Sequence, residues 1–352
     1  MIDLRTGEIR NIPGWQALVT RALSSTPLHA QDLAKLPFAN DEQPLKSLIC
    51  EHLFATYRWQ SDERQIALTY GASEALEVVF SCAIPKGGSI GMCVPSFPFW
   101  RIVQKVDRRV CPLPSNLTEI VSAVRQRAIH ALLLVQPHNP SGRLWCQEEL
   151  VTIEQAARDS GCALILDIVG AARPGWGEID PALWWIVDSF SKQFALPGLR
   201  LGYLRQPDRS LIGFMRHGLG VGISASISNI GQALMSERLA LRQAIDEELE
   251  ARREDARVTL ARFDIQVPAD GIFMCVDTLA LGSSRCAPEL ARLLAELGVA
   301  VTTDEFLLPD EAGPTFRDRF VRISIGCEDR GRLTQGLTSL ASTLDRLRCV
   351  DS

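Results

Sequence analysis

The sequence predicts an α/β protein in which a largely parallel sheet, buried on both faces, is accompanied by a smaller α+β domain. Three observations carry this reading. From about residue 66 onward, short apolar runs alternate with amphipathic stretches, beginning with "QIALTYGASEALEVVFSCAI" and "GSIGMCVPSF", which is the pattern of successive βα units. The runs in "IHALLLVQPHNPSG" and "CALILDIVG" are apolar throughout, as strands covered by helices on both sides are. Between them "EELVTIEQAARDSG" has helical spacing, and "LWWIVDSFSK" and "LRLGYL" extend the set of strands. Further on, residues 233–262 are rich in Ala, Leu, Glu and Arg and read as one long helix leading away from the sheet. Beyond it, strand candidates "GIFMCVDTL", "GVAVTTD" and "FVRISIG" interleave with helices at "APELARLLAELG" and "RGRLTQGLTSLASTLDRL". The first fifty residues are too few for a core of their own. The expected division is therefore a large domain over 48–250 and a small one built from 1–47 and 251–352.

Composition narrows the function. The chain has 352 residues, 46% hydrophobic and 22% charged, with a net charge of −5, enough for a sizeable core. A net acidic chain offers no electrostatic footprint for nucleic acid or an anionic membrane surface, so small molecules are the expected partners. The ten cysteines are scattered, no two at a C-x-x-C spacing, which suggests neither a metal site nor a disulfide framework. The opening residues "MIDLRTGEIRN" are charged where a signal peptide is apolar, and no run is long enough to span a bilayer, so a cytoplasmic location is expected.

Four short stretches carry chemistry. In "YGASEAL", Ala72 and Ser73 open a helix just after a glycine, offering free backbone N–H groups and a hydroxyl where an anion binds well; alone, this is equally a plain strand–turn–helix junction. In "VQPHNPSG", Asn139 sits in a rigid loop after an apolar strand, at the end where ligands of parallel sheets bind, although a turn uses the same residues. Asp167 closes "CALILD"; a carboxylate there calls for a cation or donor unless it caps the next loop. Finally "SFSKQFALPGLRLGY" places Ser189, Lys192 and Arg200 in an apolar segment. Burial favours the neutral amine of a lysine, which can attack an aldehyde, and the guanidinium fork suits phosphate.

In this order and spacing, the four stretches resemble the class I/II aminotransferases of the fold type I pyridoxal-phosphate enzymes, particularly the branch containing histidinol-phosphate aminotransferase. The likeness runs from "IDLRTGE" to "FVRISIGCEDRGRL". It implies a mainly parallel, seven-stranded-type sheet between helices, with pyridoxal 5'-phosphate as cofactor. Lys192 resembles the lysine that holds the cofactor as a Schiff base and shuttles the proton, and Asp167 resembles the aspartate that keeps the pyridine nitrogen protonated. Asn139 resembles the asparagine that bonds the phenolic oxygen. Ala72, Ser73, Ser189 and Arg200 look like the phosphate cup, and Phe97 occupies the place of the stacking aromatic ring. Arg322 matches the clamp on the substrate's α-carboxylate. With Asn139 and Trp100 it makes the set expected to meet substrate, Trp100 being equally suited to the core.

The resemblance implies a ping-pong exchange between an amino acid and a 2-oxo acid in a homodimer, suited to specialised amino-acid biosynthesis. Two departures keep a second reading open, namely decarboxylation, elimination or replacement, cyclisation or oxidation at the α-carbon on the same fold. "DIVGAARP" puts Gly170 where the family has a tyrosine, and the chain begins at "MIDLRTGE", where its relatives carry a further helix. Phe38 is expected to replace a tyrosine that reaches the phosphate from the partner subunit. A more open substrate entrance is expected from these differences.

Overall fold

The computed structural model describes all residues except 27–29, 31–33, 35–41, 171–178, 208–221, 264, 281–286 and 351–352. Phe38 therefore lies outside the described residues. Strands are β1 (Ile2–Asp3), β2 (Ile66–Thr69), β3 (Ser89–Cys93), β4 (Arg109–Leu113), β5 (Ala131–Val135) and β6 (Ala163–Asp167). They continue as β7 (Trp184–Ser189), β8 (Gly202–Arg205), β9 (Phe273–Asp277), β10 (Val299–Ala300), β11 (Thr302–Thr303) and β12 (Phe320–Ser324).

A seven-stranded sheet in the order β2-β8-β7-β6-β5-β3-β4 forms the centre of the molecule. Its apolar runs follow from the period-2 geometry of a strand buried on both faces. Leu132, Leu134, Leu164, Leu166, Trp184 and Ile186 enter one core, while Ala131, Leu133, Ile165, Trp185 and Val187 enter the core on the opposite face. Each such Leu or Ile removed from water contributes about 1.5–3 kcal/mol. Helices Ala72–Ala83 and Gln147–Ser160 show how the coverings are cut to length. The latter ends at Gly161, whose φ of 76° is the left-handed conformation that terminates helices without steric cost.

The pairings β3–β4, β3–β5, β5–β6 and β6–β7 are parallel. Strand β8 departs from this by running antiparallel to both β7 and β2. The connection from Ser189 to Gly202 is too short for a crossover helix, so the chain can return only in the opposite direction. This reversal matters for the site: the beginning of β8 lies at the edge where its parallel neighbours end.

A second group of strands consists of the antiparallel set β11-β12-β9 and the parallel pair β1-β10. They pack on a separate core with Leu249, Ala256 and Leu260 of the long helix and Leu333, Leu337 and Leu340 of the last one. The single helix expected over 233–262 is two helices, Ala225–Ser236 and Arg238–Leu260, broken at Glu237. The second joins both cores, giving Leu241 to the sheet core and Ile245 to the other. Segment 1–47 is likewise shared: Val19, Ala22 and Leu45 enter the sheet core, whereas Ile2, Leu4 and Ile9 enter the second.

Candidate active site

A cavity of about 630 Å³ opens between the two sets of strands. Ala72, Ser73, Phe97, Asn139, Asp167, Ser189, Lys192, Arg200 and Arg322 all line it. Topology explains the convergence. Strands β2, β3, β5, β6 and β7 end at one edge of the sheet, and their last residues and the segments directly after them carry the first seven of these residues, with Lys192 just beyond β7. Arg200, two residues before the reversed β8, arrives at the same edge.

At one end, helix Ala72–Ala83 begins at Gly71 with no side chain capping its first N–H groups. Gly71 has φ +85°, and a Cβ there would stand 2.5 Å from Arg200 Nη2. Only glycine lets the guanidinium lie against this turn, where it donates to the Tyr70 carbonyl at 3.2 Å. The uncapped N–H groups, the cation and the Ser189 hydroxyl, which accepts from Ser191 N at 3.1 Å, form a cradle for a doubly charged anion.

Lys192 lies in the short helix Phe190–Gln193. Burial pulls its amine down to about 8, with Arg322 acting in the same sense and Glu8 and Asp167 opposing. The lysine lines the cavity. Asp167 is buried and accepts from Val169 N at 2.9 Å. Burial raises its carboxyl to about 6 against the opposing pull of that N–H and of Lys192. Beneath them Asp188, fully buried, accepts from Ser189 N at 2.7 Å, Tyr203 Oη at 2.9 Å and Gln193 Nε2 at 3.2 Å. Burial raises it to about 7 despite these donors. It fixes both the serine of the cradle and the residue after the lysine, a role the sequence reading did not see.

The opposite wall is built around Arg322, which is 4% exposed in mid-β12. It donates to the Arg5 carbonyl at 2.9 Å, to Thr302 Oγ1 at 3.3 Å and to Asn139 Oδ1 at 3.2 Å. Its guanidinium lies 4.5 Å from the Phe273 ring centre and 5.5 Å from that of Phe306. Among the described residues it has no carboxylate partner, its Nε is buried without an acceptor, and burial lowers it to about 10. A desolvated, unpaired cation of this kind awaits an anion from solution.

Residues 5–8 complete this wall. A Cβ on Gly7 would fall 2.7 Å from Phe273 Cζ and 3.9 Å from Lys192 Nζ, so the first residues of the chain pass directly over the lysine. Their residue types gave no warning, since only the spacing "IDLRTGE" attracted notice. Gly170 lines the cavity too, and a Cβ there would meet Pro137 Cδ at 3.5 Å, an ordinary van der Waals contact. Trp100 must be corrected. It does not line the cavity but packs in the core between sheet and helices with Phe99 and Val103. Helix Phe99–Lys105 turns it inward and leaves Phe99 and Ile102 to reach the cavity.

The residues fit pyridoxal phosphate: the anion cradle for its phosphate, the amine for its aldehyde, the buried carboxylate for its pyridine nitrogen and Phe97 for a ring face. Among the described residues no group of three or more His, Cys, Asp or Glu is placed to hold a metal, and no helix is long and apolar enough to cross a membrane.

The cavity, its lysine and its anion cradle define the architecture of a fold type I α/β enzyme. The family model for class I and II aminotransferases matches residues 1–340, and the chain belongs to that family. A histidinol-phosphate aminotransferase of Desulfitobacterium hafniense is 29% identical over 150 residues, 38% of this chain and 41% of the relative. The cystathionine beta-lyase PatB of Bacillus subtilis is 21% identical over 233 residues, 58% of this chain and 60% of the relative. The chain thus spans about half the length of these relatives, and the histidinol-phosphate likeness is confined to part of it. A tetra-mutant aspartate aminotransferase of Thermus thermophilus shares the fold at TM-score 0.78 and 19% identity, over 97% of this chain and 96% of that one.

Proposed function

We propose that the chain is a pyridoxal-phosphate-dependent aminotransferase moving an amino group between an amino acid and a 2-oxo acid. The observation that carries this is one cavity in which a buried amine lowered to about 8 faces a buried aspartate and an unpaired buried arginine. Bound pyridoxal phosphate supplies an electron sink for the charge left on the substrate's Cα. Ala72 and Ser73 N–H, Ser189 Oγ and Arg200 would hold its phosphate, Asp167 would meet the pyridine nitrogen, Asn139 the phenolic oxygen and Phe97 a face of the ring.

Lys192 Nζ is the group that would hold the cofactor's aldehyde, and as a free amine it would accept the Cα proton and return it. Burial that brings the amine down to about 8 puts its neutral form within reach near neutral pH, as a base that also returns the proton requires. Arg322 receives the α-carboxylate as a bidentate pair, which orients the Cα–H bond towards Lys192. The Phe273 and Phe306 rings on that guanidinium exclude water and strengthen the pairing.

Within the class, the lysine segment supports placing the chain on the histidinol-phosphate branch by ancestry, which fixes no substrate. Assembly as a homodimer, a cytoplasmic location and a place in amino-acid biosynthesis belong to the same proposal. The test is a half-reaction: the loaded protein, mixed with an amino acid, releases one equivalent of the 2-oxo acid and keeps the cofactor as its amine. A second 2-oxo acid then reverses this. Release of ammonia or carbon dioxide with the aldehyde form regenerated would overturn transamination in favour of another α-carbon reaction.

A further inference from the structure

The part of the cavity between the lysine and Arg322 has a consistent chemistry that says what side chain enters it. Phe306 stands in edge contact with Phe97, ring centres 6.1 Å apart, and Phe97 meets Phe99 at 5.1 Å in the same edge-on manner. Phe306 also lies beneath the Arg322 guanidinium at 5.5 Å. It therefore joins the ring at the cofactor position to the cation at the carboxylate position, and a substrate held by both must lay its side chain along it. Ile102, Val301 and Phe99 continue the same wall.

Charge at the rim points the same way. Among the described residues Arg5 is the only arginine lining this part of the cavity besides Arg322. It is exposed, as is Glu305, which lines the same cavity, while the carboxylate of Glu8 is paired with Arg10 at 2.5 Å. A second carboxylate on the substrate would meet one solvated cation beside the like charge of Glu305, which gains little. An apolar side chain would instead cover Phe306, Ile102 and Val301, which are partly exposed to the cavity.

Resting on the aminotransferase reading, we propose that the amino-acid substrate carries a large apolar side chain, aromatic or long aliphatic, seated against Phe99, Ile102 and Phe306. Phe306 is the specificity-determining residue of this wall, touching both the carboxylate clamp and the ring stack.

The test separates this inference from the reading beneath it by using carboxylates that cannot react. Calorimetry on the pyridoxal-phosphate-loaded protein compares 3-phenylpropionate and 4-methylpentanoate with succinate and glutarate. The expected result is binding of 3-phenylpropionate at least tenfold tighter than of glutarate. Phe306→Ala is expected to remove most of that preference, and Phe306→Leu to keep it for 4-methylpentanoate. Tighter binding of glutarate, lost in Arg5→Ala, would overturn the inference in favour of a dicarboxylic substrate, and equal binding of all four acids would also overturn it. A protein that prefers 3-phenylpropionate yet releases no 2-oxo acid from phenylalanine or leucine would uphold the inference and overturn the aminotransferase reading.

Discussion

The wall of the cavity formed by the seven-stranded sheet takes its residues from strand ends and the loops directly after them: Asn139, Asp167, Ser189 and Lys192. The opposite wall gathers Arg5 from the start of the chain, Phe273 from β9, Thr302 from β11 and Arg322 from β12. The first wall is held by a core on each face of the sheet. The second is held by one core and by direct side-chain bonds, such as those from Arg322 to Arg5 and Asn139. Neighbouring strands of one sheet can position groups against a rigid cofactor. Segments hundreds of residues apart are better placed to meet a substrate that comes and goes.

If this division of labour is right, substitutions on the two walls fail differently. Lys192→Ala is expected to lower turnover by about 10⁴-fold or more, the upper range for a lost general acid–base that is also the nucleophile. It should leave the melting temperature of the cofactor-free protein nearly unchanged. Arg322→Ala is expected to raise KM for the amino acid by about 10²-fold, the worth of a bidentate charged pair, while the cofactor still binds. Steady-state kinetics beside cofactor titration distinguishes the two, and loss of cofactor binding in Arg322→Ala would break the comparison.

A smaller effect tests the buried carboxylate alone. Burial raises Asp167 to about 6, so the cofactor-free fold holds that proton at pH values where the unfolded chain has lost it. The stability this contributes is present at acid pH and is lost as pH rises through about 6. His52 and His138, both lowered to about 4 by burial, act in the opposite sense between their folded and ordinary values. The informative quantity is therefore the difference between wild type and Asp167→Asn. In thermal melts without cofactor, the variant should gain on wild type by about 1.4 kcal/mol between pH 5 and 7.5, the worth of the single pH unit from 5 to about 6. A difference independent of pH would place Asp167 in a more polar setting than the fold shows.

Gly71→Ala carries the smallest expected effect. A Cβ at φ +85° displaces Arg200 from the helix start, and strain of about 1–3 kcal/mol should appear mainly as a cofactor Kd raised about tenfold. An unaltered Kd with lowered melting temperature would make the turn merely structural.

The two walls also differed in how far the sequence disclosed them. Lys192, Asp167 and Asn139 lie in short contiguous stretches with a strand before each, so local pattern sufficed to find them. Arg322 was recognisable only by its position after those stretches. Arg5, Glu8 and Phe306 have no local signal, because the pairing of β1 with β10 and of β11 with β12 is what brings their segments to the cavity, and no local periodicity encodes such pairing. Trp100 was misplaced because neighbouring residues of a helix point to different sides, and position near Phe97 says nothing of side. The direction of β8 was hidden for a related reason: an apolar run reads the same in either sense, and only the length of the preceding connection decides.

The central claim is that Lys192, alone among the lysines, captures the aldehyde of pyridoxal phosphate. Borohydride reduction of the loaded protein, followed by proteolysis and peptide mass spectrometry, tests it most directly. The pyridoxyl mass is expected on the peptide containing Lys192, at about one per chain, and to be absent from Lys192→Ala. The same mass on another lysine, or a loaded protein that reduction leaves unlabelled, would contradict the account.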